Sequence, residues 1–173
     1  MASFYLKQKV LTARAQYRLM DEKNQLVYEA KAKPFSFGRI IVLKPAKSKQ
    51  TLFTIKRKRW KLRPTFTVHD DSGKQVAKTI KRRAFMKQKV TVDTLHGGWQ
   101  IEGNYWAHHF SLMDGNQTLA MMQKKRLSWG DTYEINLTGS HDEAFYLALM
   151  VLIDSKFHSR KKRRRNKSRR RLR

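Results

Sequence analysis

Residues 140–157 read Ser140-His-Asp-Glu-Ala-Phe-Tyr-Leu-Ala-Leu-Met-Val-Leu-Ile-Asp-Ser-Lys-Phe157. From Ala144 to Ile153 every position is apolar, so a helix here has no polar face and must be surrounded by lipid or by protein. These ten residues are about half of what a membrane-spanning helix needs. A helix from about His141 to Phe157, running inside a protein core, is therefore expected. Its start carries the pattern of a capping box, in which the Ser140 hydroxyl and the Glu143 carboxylate each take up a free amide. Asp142 and Glu143 also suit the positive end of the helix dipole.

The rest of the chain offers strands to enclose that helix. Val68 to Val76, Val90 to Val92 and Tyr133 to Leu137 place β-branched or aromatic residues at every second position, between Gly, Asp and Asn turn chemistry. One phrase recurs three times. Tyr17, Leu19 and Asp21, then Phe66, Val68 and Asp70, then Phe110, Leu112 and Asp114 each precede a polar turn and a returning strand. Asp can bond nearby amides at such a turn, and Gly73 and Gly115 can supply positive φ. Repeated hairpins of this kind fit a barrel or meander better than an open solenoid.

The chain has 173 residues, enough for one domain and a tail, with 40% hydrophobic residues and no cysteine. Disulfides, thiolate metal sites and cysteine nucleophiles are excluded, which suits a reducing cytoplasm. The first residues, MASFYLKQKV, lack the pattern of a signal peptide. A cytoplasmic protein is expected, able to sit peripherally at the inner membrane surface.

Charge is the dominant compositional feature: 39 Lys and Arg against 13 Asp and Glu, formally +26. Residues 1–89 carry +19, residues 90–157 carry −4, and the tail from His158 holds 11 basic residues and no acid. The tail lacks apolar periodicity and is expected to be disordered, which divides the chain into a folded domain over 1–157 and a basic tail over 158–173.

Catalytic and metal-binding patterns are missing. The six His show no HxxxH or HExxH spacing, and His108 and His109, adjacent on a predicted strand, would face opposite ways. His96-Gly-Gly-Trp99 and Ser128-Trp-Gly-Asp131 look superficially like site loops, but no nucleophile elbow, P-loop or GxGxxG accompanies them. No enzyme activity, cofactor, metal or small-molecule substrate is expected.

Several stretches carry a resemblance: Tyr5-Leu-Lys-Gln-Lys-Val10, Phe35-Ser-Phe-Gly38, Trp99-Gln-Ile-Glu-Gly103 and, most specifically, Ser128-Trp-Gly-Asp-Thr-Tyr-Glu-Ile135 ahead of the apolar helix. Over about residues 3–157 the chain resembles the LURP-one-related family in its short bacterial form. That family in turn resembles the tubby C-terminal domain and the phospholipid scramblases. The resemblance implies a mainly β fold: a closed twelve-stranded antiparallel barrel around a central hydrophobic helix. Tubby domains bind phosphoinositide head groups through basic side chains, but no tubby head-group motif can be placed on this chain residue by residue.

The charge excess calls for an anionic partner. Arg57, Arg59, Lys61 and Arg63 alternate along a predicted strand and would share one face beside Trp60. Arg82 and Arg83 lie next to Phe85 and Met86. In the tail, Arg160, Lys161, Lys162, Arg163, Arg164 and Arg165 run without interruption. Basic residues interleaved with aromatics suit anionic phospholipid head groups, while the Arg-dense tail suits RNA or DNA phosphates read without sequence preference. A monomeric binding or adaptor module is expected, with the membrane surface as first partner and nucleic acid as the alternative.

Overall fold

A computed structural model describes residues 2–11, 14–33, 40–58, 65–81, 90–104, 108–125 and 132–155. Twelve strands follow one another: β1 (Ala2–Leu11), β2 (Arg14–Met20), β3 (Leu26–Ala32), β4 (Ile40–Pro45), β5 (Phe53–Lys58) and β6 (Thr65–His69) form the first half. β7 (Gln75–Lys81), β8 (Val90–Thr94), β9 (Gly97–Asn104), β10 (His109–Asp114), β11 (Gln117–Lys124) and β12 (Thr132–Leu137) form the second. Each pairs antiparallel with its sequence neighbours, and β1 pairs with β12, from Ala2 opposite Leu137 to Lys7 opposite Thr132. The sheet is thereby a closed barrel with no free edge.

Alternation explains the strands. In β12, Tyr133, Ile135 and Leu137 are buried while Glu134 and Asn136 are half-buried between them. Eight strands already enclose about as much space as side chains can fill, so twelve need something more inside. The helix α1 (143–155) supplies it, with every residue from Ala144 to Ile153 at 5% exposure or less. The expected enclosed helix and twelve-stranded barrel are what the structure contains.

The antiparallel order sends every connection to one of two ends. β1 begins, β12 finishes and α1 starts at one of them, here the proximal end. The helix is about 20 Å long and stays buried to Ser155, so it runs down the barrel and finishes at the distal end.

The start of α1 differs from the expected capping box. Asp142, not Ser140, caps the helix: its Oδ1 accepts from Ala144 N at 2.9 Å and its carbonyl from Phe145 N and Tyr146 N. The aspartate bonds the amide two residues ahead, so the helix starts at Glu143 and leaves Ser140 in the preceding bend. The Glu143 carboxylate is then free to leave the helix. Its Oε1 accepts a 3.0 Å bond from the Tyr28 hydroxyl at the start of β3, fastening helix to wall.

The recurring hairpin is real in two copies. After β2 and after β6, Asp21 Oδ1 and Asp70 Oδ1 accept from the amide four residues on, Gln25 N and Lys74 N, and the fourth turn residue has positive φ, Asn24 at 59° and Gly73 at 85°. The Ser72 hydroxyl and then the Lys74 amide hold the Asp70 carboxyl below its ordinary range. The third copy is tighter, with only Gly115 and Asn116 between Asp114 and Gln117. His108 also departs from expectation. It precedes β10 in a turn at φ 50°, its ring 6.3 Å from that of Tyr133, while His109 on the strand is exposed.

Two measurements check this packing. Leu149 is fully buried, so Leu149→Asp should abolish the cooperative melt, whereas Leu149→Ala should cost about 2–5 kcal/mol and still fold. A soluble, cooperatively melting Leu149→Asp protein would contradict an enclosed helix. The second concerns Tyr28, whose phenol is pushed up to about 12 by burial and then by the Glu143 carboxylate. A raised folded-state pKa means that the stabilisation is complete below the unfolded value of about 10 and drains as pH rises towards 12. In an alkaline absorbance titration, Glu143→Gln should bring that ionisation down without reaching the ordinary value, because burial remains. Tyr28→Phe should lower stability at neutral pH by about 1 kcal/mol, since the pair is partly exposed.

Candidate functional site

The two ends of the barrel differ in everything but topology. At the proximal end the interior is sealed by rings. The Trp99 indole, fully buried, lies 5.8 Å from the rings of both Phe145 and Tyr146 on α1 and 5.4 Å from that of His141. His96, in the β8–β9 turn, stacks on His141 at 4.2 Å, and Phe53 packs against Phe145 at 5.6 Å. The His96-Gly-Gly-Trp99 stretch is thus a turn and a plug. Gly139 is part of the same seal, because a Cβ there would overlap the Tyr146 phenol. The backbone N of His141 donates to that phenol oxygen at 3.4 Å, and burial is the main cause of its raised pKa.

Around the plug the turns are mixed in charge, and the one over 46–52 carries Lys47 and Lys49 with no acid. The connecting segments 21–25, 46–52, 70–74, 95–96, 115–116 and 138–142 hold four Lys against five Asp or Glu, and no Phe, Trp or Tyr. Asp93, Asp114 and Glu143 add three carboxylates at the ends of β8, β10 and the start of α1. Eight of the chain's 13 acids therefore stand at this end.

The distal end has the opposite character. The segments joining strands there, 12–13, 33–39, 59–64, 82–89, 105–108 and 125–131, hold 11 Lys or Arg and a single acid, Asp131. Three of the chain's four tryptophans (Trp60, Trp106, Trp129) belong to them, as do Phe35, Phe37 and Phe85. The described strand ends continue the pattern. Lys33, Lys56 and Lys58 are exposed, and Lys124 is half-buried. Two acids near this half are already matched, Glu29 by Lys31 and Glu134 by Lys125 at 3.8 Å. Lys125 also sits 4.5 Å above the Tyr5 ring. Asp154, the acid nearest the end of α1, is buried. The chain beyond Ser155, which leads to the 11 cations of the tail, continues from this same end.

Of the sequence-predicted anion-binding residues, the structure describes Arg57. It does not stand on an outward face. Phe53 and Ile55 are buried, Lys56 and Lys58 are exposed, and Arg57 is half-buried on the Phe53–Ile55 side. Period-two parity puts it on the inner face, opposite the buried Phe66, near the distal end of β5. The expected shared face of Arg57, Arg59, Lys61 and Arg63 runs on past Lys58, the last described residue of β5, and beyond Arg57 lies outside the described residues. Arg59, Lys61, Arg63, Arg82, Arg83 and the tail residues Arg160, Lys161, Lys162, Arg163, Arg164 and Arg165 lie outside the described residues. Lys33, Lys124 and Lys125 join the same end without having been singled out in sequence. Each is an ordinary surface lysine until strand pairing gathers them.

No group of three or more His, Asp or Glu among the described residues is placed to hold a metal, and no described helix is long and apolar enough to cross a membrane. A relative from Bacillus subtilis (strain 168), the uncharacterized protein YxjI, is 28% identical over 154 residues, 89% of this chain and 93% of its own. The LURP-one-related family model matches residues 2–154, the whole of the barrel and nearly all of α1. With closed barrel, enclosed helix and family match in agreement, this chain belongs to the LURP-one-related family.

Proposed function

We propose that this protein is a non-enzymatic binding module that engages anionic phospholipid head groups at a membrane surface through its distal end. The basic tail acts there as a tethered second contact. The observation that supports this is the joint segregation of cations and aromatic residues. The distal connecting segments hold 11 of the former and seven Phe, Trp or Tyr, and the proximal ones hold four and none. Solubility alone would scatter charge over both ends. Nor does the helix dipole need so many cations, since two or three at its C-terminus would complement it. Cations interleaved with large aromatic rings match the head-group region, where each basic side chain contributes about 1 kcal/mol and the rings sit at the polar–apolar boundary. The rival partner is nucleic acid, favoured by the predominance of Arg over Lys in residues 158–173.

Binding to phosphatidylserine-containing vesicles, neutral vesicles, RNA and DNA, each against salt concentration, tests the proposal. Full-length protein should float with anionic vesicles and not with neutral ones, and its affinity should fall steeply with salt. Deleting residues 158–173 should flatten the slope and weaken binding by about 100-fold, as a tethered contact is lost. Changing Arg57, Arg59, Lys61, Arg63, Arg82 and Arg83 to Gln in the truncated protein should remove most of what remains. Tight binding to RNA or DNA together with indifference to anionic vesicles would favour the alternative partner.

A further inference from the structure

The outer wall of the barrel divides into two flanks. On β1 to β7 the described outward positions hold seven cations, Lys7, Arg18, Lys31 and Lys44, then Lys56, Lys58 and Lys78, against one acid, Glu29. On β8 to β12 they hold three acids, Asp93, Glu102 and Glu134, and no Lys or Arg. Within the basic flank, Glu29 already occupies the centre of one group. Arg18 and Lys44 stand directly opposite it on β2 and β4, and Lys31 bridges it. Around β6 no acid intervenes. Lys56 on β5 and Lys78 on β7 stand directly opposite Thr67, one on each side. Their backbones are two strand spacings apart, roughly 10 Å, so both flexible stems can bring an ammonium group over the threonine. Among the described residues neither ammonium group has a hydrogen bond or an ion pair. The floor between them is built. Thr67 points outward yet is 1% exposed. The His69 ring, two residues on along the same face, holds it. In the neutral ring Nδ1 donates to Gly73 O at 3.0 Å, which leaves Nε2 to accept from the Thr67 hydroxyl at 3.1 Å.

We propose that Lys56 and Lys78, over the Thr67 floor, form a clamp for a phosphate monoester, a site separate from the distal end and beyond the reading above. A monoester carries about −1.5 to −2 near neutral pH, which matches two ammonium groups, whereas a diester or a carboxylate carries one charge and satisfies one of them. The remaining cations of the flank supply the field that draws an anion to it. Asp93 bounds the clamp. It is exposed, stands directly opposite Lys78 on the side away from Thr67, and forms no ion pair with a described residue, so it is the carboxylate that competes for Lys78. Nucleic acid fits this wall less well, because its backbone phosphates are diesters. Nor does any Phe, Trp or Tyr stand among the described outward positions of β2 to β7 to stack a base. Two sources present the same chemistry: phosphatidic acid in a bilayer and a small soluble phosphate ester.

Full-length protein is measured on phosphatidic acid and phosphatidylserine vesicles matched for surface charge, so that the tail and the rest of the surface contribute equally to both. Phosphatidic acid should be preferred by about fivefold, the contribution of the second lysine. Lys56→Gln and Lys78→Gln made together should abolish that preference. Lys23→Gln with Lys47→Gln, which removes two exposed turn lysines, should leave it in place, with unchanged melting of both variants as the check on folding. Asp93→Asn should raise phosphatidic acid affinity by about twofold, because a competitor for Lys78 is gone. Glycerol 3-phosphate, titrated in solution and followed by the NMR shifts of the Thr67 and Lys78 amides, tests the soluble source. Shifts there, lost in the Lys56/Lys78 double variant and unaccompanied by any lipid preference, assign the clamp to a soluble ester. No lipid preference together with no shift at Thr67 or Lys78 overturns the clamp. So does a phosphatidic acid preference that survives the double variant, and so does RNA binding that the double variant weakens more than phosphatidic acid binding, since the ligand is then a diester. Failure to float with either vesicle removes the membrane reading of the distal end, and the glycerol 3-phosphate titration then decides the clamp alone.

Discussion

A helix without a polar face cannot exist in water, and the other features of this structure follow from enclosing one. Residues 144–153 are buried on all sides, so the surrounding sheet must close, and closure requires β1 to meet β12 across nearly the whole chain. Twelve strands make a tube too wide for side chains alone, and the helix in turn fills it. Helix and barrel are each the condition for the other. The proximal fastenings show how register is kept. Asp142 sets where the helix begins, and Tyr28 with Glu143 sets where that start sits against β3.

How much of this was legible in the sequence depends on whether the signal is local. The apolar circumference of α1, the alternation in β12 and the Asp turns after Tyr17 and Phe66 depend on neighbours a few residues apart, and the structure agrees with them. The helix cap was misread because two N-terminal signals overlap in Ser140-His-Asp-Glu143. The carboxylate of Glu143 was wanted by Tyr28, 115 positions away, and nothing local announces that bond. Likewise Asn24 takes the same positive φ as Gly73, but an Asn is a weaker sign of it than a Gly.

The candidate site was legible as a quantity and not as a place. Total charge and the runs at Lys56–Arg59 and Lys81–Arg83 are plain in the sequence, and so is the tail. That the strand ends at Lys58 and Lys81 share one end of the barrel follows from connectivity: in an antiparallel meander, alternate connections share an end however far apart they lie in the chain. Arg57 illustrates the other half of the problem. A one-residue difference in strand parity turns a supposed outward cation into one on the inner face of β5.

The position of α1 at the end of the strand order bears on how the protein reaches its native state. During synthesis every strand is made before the element that fills the barrel, and β1 waits for β12 before the sheet can shut. Until then the nascent chain holds two unpaired sheet edges and an apolar interior with nothing in it. Pairings of such long sequence separation form slowly, and intermediates that show bare edges and apolar surface are prone to aggregate. The final segment of the fold is therefore its kinetic keystone: folding before α1 is available yields an empty sheet, and folding afterwards is a race between closure and association with other chains.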